Sequence, residues 1–278
     1  MSDDLATVMA IINRTPDSFY DRGATFGIEA ALARAEDVVD AGAGILDVGG
    51  VKAGPGSTVG VAEEIDRVVP LIEAIRRRHA SIGISVDTWR APVADAAIAA
   101  GADLINDTWA GYDPELVEVA AAHKVGYVCS HTGGVVPRTR PHRVHFDDVV
   151  AEVVRDTVAL AERAASLGVP EGKVYIDPAH DFGKNTFHGL EILRRVDELV
   201  ATGWPVLMAL SNKDFVGETV GAPVGGRVAG TLAATAWAAA RGVAVFRAHE
   251  VRETVDVIRM TAAIAGGAAP LQTVRGLA

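Results

Sequence analysis

Ala100-Gly101-Ala102-Asp103-Leu104-Ile105-Asn106 reads as a second copy of Ala41-Gly42-Ala43-Gly44-Ile45-Leu46-Asp47. Each phrase has a glycine that ends a helix, then an apolar β-like run, then a polar residue that closes it. The same polar closure recurs along the chain. Asn13 follows Val8-Met9-Ala10-Ile11-Ile12, and Asp87 follows Ile84-Ser85-Val86. His131 ends Tyr127-Val128-Cys129-Ser130, and Asp177 follows Val174-Tyr175-Ile176. Ser211 follows Val206-Leu207-Met208-Ala209-Leu210, and His249 follows Val243-Ala244-Val245-Phe246. Helical patterns separate the runs, at 28–41, 61–78, 92–100, 146–167, 190–200, 226–241 and 251–264, with another after Pro114. Short β-branched runs alternating with helices are the βαβ signal. Eight such strands predict an α/β fold, a (β/α)8 TIM barrel with residues 1–278 as one domain. In such barrels function sits where strands hand over to the following loops.

Composition fits this reading. The 278 residues are 49% hydrophobic and 22% charged, enough to fill one large core. The formal charge of −10 argues against nucleic acid or a membrane surface as partner, because both need a basic face. The single Cys129 excludes an intrachain disulfide and fits a reducing compartment. No basic leader or long apolar run appears, so a cytoplasmic protein is expected.

Taken singly, an Asp or Asn at a strand end can merely cap the next helix. In a closed barrel, however, Asn13, Asp47, Asp87, Asn106, Asp177, Lys213, Arg247 and His249 would meet at one mouth. Asp87, Asn106 and Asp177 offer acceptors and amide donors, which suit the edge of a flat heterocycle carrying N–H and NH2 groups. Lys213, Arg247 and His249 offer cationic donors for a phosphate or ring carbonyl. The amide oxygen of Asn13 suits a hard metal cation. The ligand implied is a polar bicyclic heterocycle joined to phosphate.

Several motifs then resemble one family. Val8-Met9-Ala10-Ile11-Ile12-Asn13-Arg14-Thr15-Pro16-Asp17-Ser18-Phe19-Tyr20-Asp21 is similar to the first motif of dihydropteroate synthases. So are Ile84 to Thr88, Ile105-Asn106-Asp107, Asp177-Pro178 through Asn185, and Arg247-Ala248-His249-Glu250-Val251. The resemblance implies a homodimeric barrel that joins p-aminobenzoate to 6-hydroxymethyl-7,8-dihydropterin diphosphate with the help of Mg2+. It implies that Asp87, Asn106, Asp177, Lys213 and Arg247 hold the pterin. Asn13, Arg247 and His249 would meet the diphosphate, with Asn13 also at the metal. Asp17, Phe19, Asp21, Pro55, Ser211 and Asp214 would shape the aryl-amine pocket.

The departures cluster on one half of the implied site. Where the family reads Glu-Ser-Thr-Arg-Pro-Gly, this chain has Val51-Lys52-Ala53-Gly54-Pro55-Gly56. Where it reads Ser-Arg-Lys, this chain has Ser211-Asn212-Lys213, followed by Asp214 in place of a common Ser. The Asp177-Pro178 motif carries His180 and Asp181 instead of small residues. Two arginines are thus missing near the diphosphate, and Asp214 would repel a carboxylate, favouring a neutral sulfone over p-aminobenzoate. The expectation is a divergent second paralogue with weak or lost synthase activity. Two alternatives stay open: an active synthase whose phosphate contacts moved to Lys52, Arg14 and Arg22, and a non-enzymatic regulatory partner. A pterin-dependent methyltransferase ranks last, because no cobalamin module is apparent.

The segment His131 to His145 holds three histidines and three arginines. Its spacing matches no zinc pattern, and a solvated loop is the plainer reading. Trp89 and Trp109 are equally suited to walling the pocket and to packing under loops. The Ala-rich stretch 229–240 is expected to pack on a neighbouring helix or a second subunit.

Overall fold

A computed structural model describes residues 5–15, 23–139 and 145–275. Asp17, Phe19, Asp21 and Arg22 lie outside the described residues, as do Arg140, His142 and Arg143. The elements run β1 (Thr7–Asn13), α1 (Ile28–Asp40), β2 (Ile45–Gly49), α2 (Val61–Arg78), β3 (Gly83–Asp87) and α3 (Ala91–Ala99). They continue with β4 (Leu104–Asp107), α4 (Leu116–His123), β5 (Gly126–Ser130), α5 (Val149–Leu167) and β6 (Val174–Asp177). Then come α6 (Thr186–Arg194), α7 (Val196–Val200), β7 (Leu207–Met208), α8 (Asp214–Val220), α9 (Val228–Ala239), β8 (Val245–Ala248) and α10 (Val251–Ile264). The strands are parallel in the order β6-β5-β4-β3-β2-β1-β8-β7. A parallel bridge between Ile176 and Val206 joins β6 to the β7 side. The sheet is therefore a nearly closed (β/α)8 barrel, as the sequence predicted.

The strand period of two decides what faces the axis. On β1, Val8, Ala10 and Ile12 pack outward in the main hydrophobic core beneath the helices. Met9 points the other way and joins Leu104, Val128, Leu207 and Val245 in a separate cluster, with Ile45 and Tyr175 against it. This cluster is the apolar floor inside the barrel. Two residues further along the same strands stand Ile11, Asp47, Asn106, Ser130, Asp177, Ala209 and Arg247. Four residues beyond the floor come Asn13, Ser211 and His249. The polar strand ends thus converge because each lies an even number of residues past an inward apolar one.

Three elements differ from expectation. β7 is Leu207–Met208 rather than 205–210, because Pro205 has no N–H for a ladder, although its carbonyl accepts Ile176 N at 3.0 Å. The helix after β6 breaks at Arg195, whose backbone (φ −109°, ψ 25°) ends α6 and starts α7. An extra helix, α8, follows β7 and stops at Gly221 in the left-handed region, φ 69°. Among the described residues, no helix is long and apolar enough to cross a membrane.

Candidate functional site

The C-terminal ends of the strands surround a cavity of about 700 Å³. Asn13, Asp87, Asp177, Ser211, Lys213, Asp214, Arg247 and His249 all line it. Asp47 and Asn106 do not; Arg247 covers Asp47, and Asn106 bonds to the same carboxylate. Pro55 is not among the lining residues, although its neighbours Val51 to Gly54 are.

Arg247 spans the middle of the floor. Its Nε donates to Asp47 Oδ2 at 2.6 Å and its Nη2 to Asp87 Oδ2 at 2.8 Å. Asn106 Nδ2 donates to the same Asp47 oxygen at 3.1 Å. Asp177 Oδ1 accepts the Ala179 N–H at 2.8 Å, which holds Ala179 at φ 47°. Asn13 and Asp87 flank Gly49 in register on the two neighbouring strands, so both side chains stand on one side of the mouth.

Burial governs the protonation of these groups. Desolvation pushes Asp87 up to about 7, against the pull of Arg247 and with a further push from Asp47 and Glu64. Asp87 keeps 20% of its side-chain surface, so water at the mouth moderates the effect. Desolvation likewise raises Asp177 to about 6, opposed by the Ala179 N–H and by Lys213 and Lys184. His249 is pushed well below its usual value by burial and then by Arg247, Lys213 and Arg34. Burial therefore favours its neutral form, whereas the sequence reading expected a cationic donor. Its Nδ1 lies 2.8 Å from Ser211 Oγ, which also donates to Glu250 Oε2 at 2.8 Å.

The departures from the family pattern take definite positions. Asn212 is buried and turns its amide away, Nδ2 donating to Glu250 Oε1 at 2.7 Å. A Cβ at Gly54 would meet Lys52 Cε at 3.8 Å, so the Lys52 chain folds over the site of the missing arginine. Arg14 points elsewhere, donating to the carbonyls of Arg67 and Phe26, so it does not replace a phosphate contact. Asp214 is 82% exposed and pairs with Arg227 at 2.8 Å. The repulsion expected there is therefore partly neutralised. Arg227 lies against Gly217, where a Cβ would come 2.2 Å from its Nε. Lys213, which matches the family pattern, pairs with the departure Asp181 at 2.7 Å. His180 is buried and stacks on Phe215, centroids 5.2 Å apart.

The two tryptophans left open in the sequence divide their roles, and Lys184 and Glu64, given no role there, prove structural. Trp109 meets Phe182 edge-on at 4.8 Å and Trp89 at 6.3 Å; Trp109 and Phe182 wall the cavity while Trp89 packs behind. Lys184 Nζ is held by the carbonyls of His131, Ala179 and Phe182 at 2.9, 3.2 and 3.0 Å. Burial pushes it down to about 7. Glu64, fully buried, accepts from Thr88 at 2.7 Å and Arg90 at 2.6 Å. Its place four residues before the buried Val68 was the available signal for an inward face.

The fold and the residues at its mouth define a barrel protein with a polar ligand site. The family model described as "Pterin binding enzyme" matches residues 9–249, and the chain belongs to that family, among the dihydropteroate synthases and their homologues. Inactive dihydropteroate synthase 2 of Mycobacterium leprae is 61% identical, covering 99% of this chain and 96% of the relative. The dihydropteroate synthase of Bacillus subtilis is 36% identical over 91% of this chain and 86% of its own. The solved Xanthomonas albilineans dihydropteroate synthase with 4-aminobenzoic acid superposes with a TM-score of 0.85 at 39% identity, covering 97% of this chain and 96% of that one.

Proposed function

We propose that this chain is a dihydropteroate synthase homologue that keeps a pterin-binding floor and has lost most or all of the synthase reaction. One observation carries the reading: the acidic and amide floor is assembled, while the phosphate side lacks two of its cations. Asn212 is turned onto Glu250 and position 54 is glycine. In this reading Asp87, Asp177 and, from beneath, Asn106 orient the ring through its N–H groups. Lys213 reaches the ring carbonyl. Arg247 exchanges part of its pairing with Asp47 and Asp87 for stacking on the ring, and the ring's donors take its place on Asp87.

Cleavage of the pterin diphosphate puts negative charge on the leaving group, so each absent charged hydrogen bond matters. At about 1.5–3 kcal/mol apiece, two losses slow turnover by roughly 10²–10⁴-fold. The amide oxygen of Asn13 at the mouth suits Mg2+, which prefers oxygen ligands and would neutralise diphosphate charge when bound. The aryl amine would lie toward Ser211, Asp214, and the segment holding Asp17, Phe19 and Asp21. The name and 61% identity of the Mycobacterium leprae relative support loss of activity.

The test is pyrophosphate release by purified protein given both substrates and Mg2+. Turnover below about 1% of an ordinary synthase is expected from the loss above; turnover within a few-fold of one rejects the proposal. One observation favours a working enzyme instead, the Lys52 chain lying over Gly54. Under that reading Lys52→Ala abolishes a substantial activity. We further place the chain in the cytoplasm as a homodimer, supported by the buried thiol of Cys129 and by the apolar outer face of α9 and α10.

A further inference from the structure

The segment beginning at His131 holds a cluster unrelated to the cavity lining. His131 follows β5, and its side chain is 2% exposed. Neither ring nitrogen has a hydrogen-bond partner among the described residues. Nε2 faces Glu152 Oε1 at 3.7 Å and Asp156 Oδ2 at 3.6 Å. The two carboxylates are four residues apart on α5, so one helix face presents both. All three atoms lie within 4.8 Å of one another.

The spacing is too long for hydrogen bonds. It is close to the ~3.4 Å edge of a tetrahedron whose metal bonds are about 2.0–2.2 Å. A buried imidazole without partners is costly, and so is a like-charged pair one turn apart. A divalent cation between them would relieve both. Two cations face the cluster. Arg155 Nε takes the other oxygen of Asp156, Oδ1, at 2.8 Å. Lys184 is committed to three carbonyls, including that of His131.

We propose that His131 Nε2, Glu152 Oε1 and Asp156 Oδ2 form a site for a divalent transition ion of the zinc type. One imidazole and two carboxylates, with water completing the shell, suit such an ion better than Mg2+ or Ca2+, which take oxygen alone. The ion ties the end of β5 to the first turns of α5. The backbone carries this anchorage to the pocket, since His131 N–H donates to the Asp177 carbonyl at 3.0 Å.

The test is titration of the metal-stripped, tag-free full chain with Co2+, followed by absorption spectroscopy. The expected result is one Co2+ per chain, the visible bands of a four-coordinate ion, displacement by equimolar Zn2+, and a raised melting temperature. His131→Ala risks the core, so the discriminating variant is Glu152→Gln with Asp156→Asn, whose side chains are 31% and 41% exposed. With native circular dichroism, it should lose the bands and the stabilisation. No stoichiometric uptake by the parent chain overturns the proposal, and so does uptake unchanged in the double variant.

Discussion

If Asp87 and Asp177 hold the ring as proposed, they couple pH to ligand binding. Both bind their proton more tightly folded than unfolded, with values of about 7 and about 6 against 3.8 for a free aspartate. Their contribution to folding is therefore present below that ordinary value and is lost as pH rises through 6 and 7. Binding has the opposite sign. A ring N–H needs an ionised acceptor, so pterin affinity should rise between about pH 5 and pH 8. Calorimetry across that range checks it, and Asp177→Asn should flatten the dependence and weaken binding. Affinity that falls with pH contradicts the assignment. Asp214 is a milder case. Its carboxylate is exposed and paired with Arg227, so Asp214→Ser should change the ratio of sulfone to p-aminobenzoate affinity by at most about fivefold. A larger change would mean that Arg227 does not screen it.

At the scale of elements, loops on one side are held by a buried carboxylate. Glu64 reaches from α2 to Thr88 and Arg90 at the start of α3, and Arg90 lies over Trp89 at 4.6 Å. Glu64→Ala leaves Arg90 without its partner and should cost about 3 kcal/mol in denaturant unfolding; a loss under about 1 kcal/mol would deny the contact its role. The sequence made the strands legible because each apolar run ends in a polar residue at a fixed phase. It did not reveal which polar ends reach the cavity. Asp47 and Asn106 share a layer with Asp177 and Arg247, yet only the latter two line the cavity, because Arg247 covers Asp47 and Asn106 bonds to the same oxygen, a cover that no one-dimensional pattern shows. The break at Arg195 and the added α8 were hidden for a similar reason: the residues before Gly221 carry no strong apolar stripe. His131 looked like the start of a solvated loop, yet it is buried, because Phe146 packs against it at 5.9 Å from downstream in the chain.

Across the whole molecule, one surface faces water with the wrong chemistry. α9 buries Thr231, Thr235 and Ala238, while on the neighbouring α10 Met260 and Ile264 are 61% and 76% exposed. A homodimer through this face would cover them. Sedimentation equilibrium should then show dimers, and Met260→Asp with Ile264→Asp should give folded monomers; a monomeric parent chain removes the dimer.

The same barrel mouth places the acceptors beneath Arg247 and leaves position 212 facing Glu250. Binding at the floor and catalysis at the phosphate side are separable properties under the proposed function. The most direct measurement is calorimetric titration of the purified chain with 6-hydroxymethyl-7,8-dihydropterin diphosphate in Mg2+, beside the Asp177→Asn variant. The account predicts saturable binding at one site per chain, lost or much weakened in the variant. Absence of binding to the parent chain, or equal binding by both proteins, would contradict it.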